Sequence, residues 1–174
     1  MAMKKNLAIL QFCGFVITVI VGTLLHFLYG WTNKSLLAAP FSAVNESTWE
    51  HMKLMYVPLF GFALIQNRFM KGFKNFWCVK LIGIIAGIIL IPVLFYTYNG
   101  AFGKSSSPVN ITIFFVSAAT AFITETHFFK KDSLRCNHPW LAFAILCLIG
   151  ILFVILTFVT PGIPLFQDPQ NVTK

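Results

Sequence analysis

The sequence predicts an all-α polytopic membrane protein, a five-helix transmembrane bundle formed as one domain by residues 1–174. Of the 174 residues, 57% are hydrophobic and only 10% are charged, which gives a mean hydropathy of +0.79. A soluble domain of this length cannot bury so much apolar surface. Several apolar runs also reach about twenty residues, the length that carries a helix across the hydrocarbon core.

The five predicted spans cover residues 7–29, 47–67, 76–98, 109–129 and 139–159. The first resembles a signal peptide, but its apolar run is too long and no small-x-small cleavage site follows, so we interpret it as an uncleaved span. The third contains Gly83 and Gly87 in GxxxG spacing, a face for close helix contact. In the fourth, Glu125 and His127 point to different faces, so we expect structural or snorkelling roles.

The boundary of the second span depends on the polar segment 45–53. A helix that begins after this segment would be only about 20 Å long, whereas one over residues 47–67 reaches about 30 Å. Ser47-Thr-Trp-Glu50 also fits the capping box, in which the cap hydroxyl and the carboxylate each bond the other residue's amide. The segment therefore predicts a helix start near Ser47, with Glu50 and His51 at or below the headgroup level.

The net charge of +8 comes from lysines and arginines spread over short connections, which favours membrane topology over nucleic-acid binding. With the N-terminus inside, nine of the 13 basic residues lie on the cytoplasmic side. The positive-inside rule therefore predicts a multi-pass plasma-membrane protein with its N-terminus in and its C-terminus out. The four cysteines show no CxxC spacing, so we expect free thiols rather than a metal or disulfide set.

This topology gathers ionisable residues from separate spans on the outer side. His26 ends the first span, Glu46, Glu50 and His51 open the second, and Asp168 follows the fifth. Ionisable groups at membrane depth are functional candidates because exposing them to lipid is costly. Imidazoles with carboxylates suit zinc or another divalent ion, or general acid–base chemistry. We therefore predict metal ligation by His26, Glu46, His51 and Asp168, and catalytic roles for Glu46 and Glu50.

Each of these residues also has a plainer interpretation. Glu50 fits a capping carboxylate paired with Lys53, His26 an interfacial histidine bonded to a carbonyl, and Asp168-Pro169 a turn. Glu46 has the weakest such explanation. No dedicated metal spacing such as HExxH is present, and a phosphate or lipid headgroup at the helix N-terminus beside Lys53 is an alternative ligand.

Four segments carry a resemblance to a known family: residues 26–31, 44–53, 96–100 and 164–169. They resemble a family of small multi-spanning bacterial membrane proteins of unknown function, and the Asn-Glu-Ser-x-Trp-Glu-His motif at 45–51 is the most specific part. The resemblance implies a compact helical membrane bundle. It implies no activity, substrate or cofactor, and the tail after Pro169 is shorter than the family leads us to expect.

The leading functional hypothesis is an outward-facing carboxylate/histidine pocket that binds a divalent metal, with zinc as the expected cofactor, or the polar headgroup of a membrane lipid. In its enzymatic form the protein is a membrane-embedded hydrolase of a lipid-linked or peptide substrate. The alternative is a non-enzymatic subunit of a membrane complex, or a small carrier. Whether the protein is an enzyme stays open at this stage.

Overall fold

The computed structural model describes residues 2–103, 106–131 and 134–169, and it is built from helices. The five-helix prediction is confirmed, and a short 3-10 helix follows the last span. The helices are α1 (Ala2–Trp31), α2 (Thr48–Phe69), α3 (Phe76–Phe102), α4 (Ser107–Lys131) and α5 (Pro139–Phe158), with the 3-10 helix at Pro164–Phe166.

Helix α2 lies at the centre of the bundle. Among the residues that the structure describes, four helical stretches are long and apolar enough to cross a membrane, namely Leu7–Trp31 of α1 and the whole of α3, α4 and α5. Helix α2 is long enough, with 22 residues, but it carries Glu50, Lys53 and Arg68. It contacts all four other helices and the 3-10 helix, and 12 of its 22 residues are buried. The four apolar helices thus surround the most polar one.

Aromatic side chains fix α2 against α5. The Tyr56 hydroxyl donates a 2.5 Å hydrogen bond to the Leu146 carbonyl oxygen, and the Tyr56 ring packs on Phe153. The Trp49 ring packs on both Phe153 and Phe166, which brings the 3-10 helix onto the start of α2. The C-terminal segment is therefore held at the same end of the bundle as the polar segment 45–53.

The predicted close-contact face of Gly83 and Gly87 is confirmed. A Cβ atom at Gly83 would clash with the Glu125 side chain and lie 3.0 Å from the Ala121 carbonyl oxygen, both on α4. A Cβ atom at Gly87 would lie 3.0 Å from Cβ of Ala121 and 3.2 Å from the Ser117 carbonyl oxygen. The two glycines thus let α3 and α4 approach closely.

The expectation of four free thiols is wrong for one pair. Cys78, in the first turn of α3, forms a disulfide with Cys136 in the α4–α5 connection, with Cα atoms 6.2 Å apart. The Asn75 side-chain amide also donates to the Leu134 carbonyl oxygen, so this connection folds back onto the start of α3. Spacing along the chain gave no sign of this return, because 58 residues separate the two cysteines. Cys13 and Cys147 are free, as expected.

Gly83→Ala should lower the free energy of unfolding by about 1–3 kcal/mol, because the added methyl group forces Glu125 and the α4 backbone to move. Gly61→Ala in α2 is the matched control, since its Cβ meets nothing within 4 Å. There, loss of glycine's backbone freedom should stabilise the helix by about 0.5–1 kcal/mol. Thermal or denaturant unfolding in detergent measures both changes. Equal stability of the two variants would contradict the close α3–α4 contact.

Candidate metal site and buried ion pairs

The polar segment before α2 folds as a capped helix start. Ser47 is the N-cap residue, and its hydroxyl accepts from the Glu50 amide at 3.4 Å. The Ser47 amide donates to the Asn45 side chain at 2.9 Å, while the Glu50 carboxylate accepts from the Val44 amide at 3.0 Å. The predicted helix start is therefore correct, but the carboxylate bonds the backbone three residues before the cap instead of closing the capping box.

Glu50 and Lys53 form a buried ion pair. The Lys53 Nζ lies 2.7 Å from the Glu50 Oε2, and both side chains are almost fully buried. Lys53 also donates to the Ala39 carbonyl oxygen and to the Thr157 hydroxyl, each at 2.8 Å. This network ties α2 to the α1–α2 connection and to α5.

The sequence offered a phosphate or lipid-headgroup site at this helix N-terminus beside Lys53 as an alternative. Because Lys53 is fully buried, its ammonium group is not accessible to such a ligand. The partners of Glu50 are likewise protein groups: Lys53, the Val44 amide and, at 3.5 Å, the Thr157 hydroxyl. The geometry thus assigns Glu50 to holding three segments of the bundle together. Its catalytic role stays a prediction.

Three of the predicted ligands meet in what we call the triad: His26, Glu46 and His51. His26 comes from the end of α1, Glu46 from the residue before the N-cap, and His51 from the first turn of α2. The His26 Nε2 lies 3.6 Å from the Glu46 Oε1, and the His51 Nε2 lies 3.8 Å from the Glu46 Oε2. One potential ligand atom from each residue lies within 4.8 Å of the others.

The hydrogen bond of His51 decides which of its nitrogens is free to ligate. The His51 Nδ1 lies 2.9 Å from the Ser47 carbonyl oxygen. A carbonyl oxygen only accepts, so Nδ1 carries the hydrogen, and Nε2 of the neutral ring turns a lone pair towards the Glu46 carboxylate. Two acceptors that face each other repel unless a cation, a proton or a metal ion, lies between them.

Asp168 is not part of the triad. It lies in the C-terminal segment, whose neighbouring residues Gln167 and Pro169 line the same cavity as the triad. The structure therefore brings three of the four predicted metal ligands together and places the fourth in an adjoining segment. Metal ligation by Asp168 stays a prediction.

The triad borders a cavity of about 1210 Å³ between the ends of α1, α3 and α4 and the C-terminal segment. This volume exceeds the roughly 300–1,000 Å³ of common small-molecule sites. Its lining is mixed: Asn99 and Asn110 add polar groups to those of the triad, while Phe95 and Phe114 are aromatic. The cavity thus offers both polar groups and apolar surface to a ligand.

Some of the apolar side chains that line the cavity are well exposed. Phe27 of α1 and Ile111 and Phe115 of α4 line the cavity, and each is substantially exposed. Exposed apolar side chains on spanning helices are suited to contact with lipid.

A second buried ion pair lies at the other end of the bundle, and the sequence did not predict it. The Lys80 Nζ lies 2.6 Å from the Glu125 Oε2, with both side chains fully buried. Gln11 donates to the same carboxylate oxygen at 3.2 Å, and Gln66 donates to Gln11 at 3.3 Å. A lysine and a glutamate inside apolar helices were the available signal. The structural or snorkelling role expected of Glu125 stays a prediction.

The fold and these sites define an α-helical, multi-pass membrane protein with a candidate metal site in the lining of a large cavity. The chain belongs to a family of unknown function, DUF6512, whose profile matches residues 2–173. No curated protein and no solved structure matches the chain. The bacterial origin and the signature motif implied by the resemblance stay predictions.

Lys53→Met should lower the free energy of unfolding by about 3–5 kcal/mol, because it leaves the Glu50 carboxylate buried without its partner charge. The double variant Glu50→Gln/Lys53→Met should recover part of this loss, since it buries no net charge. Lys71→Met, at an exposed lysine, is the control and should leave stability unchanged. Denaturant unfolding in detergent is the measurement. A Lys53→Met variant as stable as the Lys71→Met control would exclude a structural role for the Glu50–Lys53 pair.

Proposed function

We propose that the protein binds a divalent metal ion, with zinc as the first choice, at His26, Glu46 and His51, and presents it to the polar group of a membrane lipid or similar amphiphile. The observation that carries this proposal is the convergence of one potential ligand atom from each of the three residues within 4.8 Å of one another, beside a cavity. A divalent cation among them would be bound by all three.

The donor set and its spacing suit zinc. Two histidines with one carboxylate are a common zinc set in catalytic sites, where a fourth position stays open for water or substrate. Ligands bound tetrahedrally at about 2.0–2.2 Å lie about 3.3–3.5 Å from one another. The two imidazole nitrogens lie 3.6 and 3.8 Å from different oxygens of Glu46, and one ligand atom from each of the three residues lies within 4.8 Å of the others, so the side chains would have to close in on a bound ion. The hydrogen bond from His51 Nδ1 to Ser47 orients the ring from its other nitrogen, as is usual for metal ligands.

The cavity supports an amphiphilic ligand rather than a water-soluble one. Its lining combines the triad with apolar side chains, and Phe27 of α1 and Phe115 of α4 are both exposed. We propose that the cavity opens to the bilayer between these two helices. A lipid can enter there with its chain among apolar side chains and its polar group towards the triad. The proposed ligand is therefore a membrane lipid, and the opening lets it enter without leaving the bilayer.

In the enzymatic form of this proposal, the protein hydrolyses such a lipid. A bound zinc ion would supply Lewis-acid chemistry at the polar group. His26 and His51 would hold the ion, and Glu46, whose side chain is 41% exposed, would share ligation or accept a proton. Asp168 would complete the site from the C-terminal segment. We also propose the plasma membrane as the location, with the triad on its outer side.

A non-enzymatic subunit is the second candidate, and the Glu50–Lys53–Thr157 network favours it. That network shows that part of the polar segment serves to join helices. If the triad also served only to join helices, substitution of its residues would unfold the protein, and the native chain would bind no metal. The two candidates therefore differ in whether the protein folds without the triad.

Metal-free protein should bind one zinc ion per chain, measured by isothermal titration calorimetry and elemental analysis. His26→Ala and His51→Ala should each weaken binding at least about tenfold, or about 1.4 kcal/mol, because each removes a ligand. Binding should also weaken at acid pH, since protons compete for the imidazoles. His127→Ala and His138→Ala, at exposed histidines, are the controls and should bind as the native chain does. Unchanged affinity in a folded His26→Ala/His51→Ala variant would exclude the site.

A bound lipid should survive gentle purification and be visible by native mass spectrometry. Ile111→Trp, which fills the opening between α1 and α4, should reduce its retention. Ile155→Trp is the control, because Ile155 is similarly exposed but does not line the cavity. Equal lipid retention in the two variants would show that the opening is not the binding route.

A further inference from the structure

A second polar feature runs along the contact between α1 and α4, which we call the seam. Two contacts fix its register: Gln11 bonds Glu125, and Gly22 meets the Phe114 ring. Gln11 and Gly22 are eleven residues apart on α1, and their partners Glu125 and Phe114 are eleven residues apart on α4 in the reverse order, so the two helices are antiparallel. This antiparallel register places Thr18 level with the Ser117 turn, and His26 of the triad level with Asn110 at the cavity.

Polar atoms without a protein partner concentrate in this seam. In the described part of the chain, six buried side-chain polar atoms lack a protein hydrogen-bond partner, and five belong to the seam or its ends. They are the Thr18 Oγ1, Ser117 Oγ, Asn110 Oδ1, Glu125 Oε1 and Gln66 Oε1. Each would cost about 1–3 kcal/mol if left unsatisfied. The sum of five such costs is comparable with the whole free energy of unfolding of a native domain, roughly 5–15 kcal/mol.

Water molecules remove this cost when several polar groups face one space. The polar groups form three levels: Asn110 with the cavity, Thr18 with Ser117, and Glu125 with its amide neighbours. Seven and eight residues separate these levels along α4, which is about 10–12 Å at 1.5 Å per residue. A chain of a few hydrogen-bonded water molecules is long enough to span each step.

Aromatic rings separate the levels. The Phe114 ring lies against Gly22 between the first and second levels. The Phe62 and Phe122 rings lie against Gly14 between the second and third, so closely that a Cβ there would lie 2.5–2.8 Å from them. Such constrictions exclude hydrated ions, yet they pass protons whenever a water chain forms transiently.

The third level is the place where a proton can be held. Lys80 of α3 is the charged side chain that faces Glu125, while α1 and α2 contribute the amides of Gln11 and Gln66. Lys80 and Gln11 bond the Glu125 Oε2, and the Oε1 has no protein partner. Glu125 lies six residues, about 9 Å, from the end of α4, so the far side of the membrane is near.

We propose that the seam conducts protons between the cavity and the Glu125–Lys80 pair, and from there to the opposite side of the bilayer. In each step one O–H bond breaks on a water or hydroxyl donor while another forms on its acceptor. The Thr18 and Ser117 hydroxyls each accept one hydrogen bond and donate one. At the end of the seam the Glu125 Oε1 gains the proton, and Lys80 stays bonded to the Oε2. In the last step the O–H bond at the Oε1 breaks and the proton passes to water at the far end of the bundle. This activity does not depend on metal binding at the triad.

The test is proton flux into vesicles that contain the full chain and a pH-sensitive dye, with valinomycin and potassium to balance charge. Native protein should collapse an imposed pH gradient faster than protein-free vesicles do. Ser117→Ala and Thr18→Val should each slow this flux about tenfold, equivalent to about 1.4 kcal/mol in the barrier. Both variants should fold normally, because neither hydroxyl has a protein partner to lose.

Thr120→Ala is the matched control on α4. Its hydroxyl bonds the Val116 carbonyl oxygen at 2.9 Å and lies outside the seam, so its loss should leave the flux unchanged. Glu125→Gln should abolish flux in protein that remains monodisperse. Native flux no faster than that of empty vesicles, or native rates in Ser117→Ala and Thr18→Val, would overturn the proposal.

Discussion

The structure depends on the need to keep the charged side chains of α2 away from lipid. Glu50 and Lys53 would each be costly at a lipid-facing position. Instead they bond each other, and Lys53 also bonds Ala39 and Thr157. This requirement places α2 in the centre and the four apolar helices around it. It also sets the position of the triad, since Glu46 and His51 flank the same helix start.

The sequence predicted what depends on local patterns. Apolar length predicted α1, α3, α4 and α5, cap chemistry at Ser47 predicted the start of α2, and glycine spacing predicted the close contact made by Gly83. What it missed depends on helix rotation. Helices that are apolar all round have no preferred face, so nothing indicated that Lys80 would meet Glu125, 45 residues away, or that Cys78 would meet Cys136. The sequence also could not show which predicted ligands would meet. His26, Glu46 and His51 form the triad, but Asp168, in the segment after α5, is not part of it.

The two ends of the bundle stabilise their ionisable side chains in different ways. At the cavity end, the triad is half-buried and open to a ligand, so a cation can enter from outside. At the far end, Lys80 and Glu125 neutralise each other in a buried site that aromatic rings shield from lipid. The seam joins these two ends along α1 and α4. The bundle thus holds an ion site open to a ligand at one end and a mutually neutralised ion pair at the other.

The composition of α2 has a consequence for biogenesis. A translocon that recognises segments by hydrophobicity would admit α1, α3, α4 and α5 readily, whereas the charges near the two ends of α2 oppose its entry. Thr157, a partner of Lys53, lies in α5, 104 residues further along the chain. Helix α2 therefore reaches its final environment only after α5 has been synthesised, so insertion and folding of these helices are one coupled event.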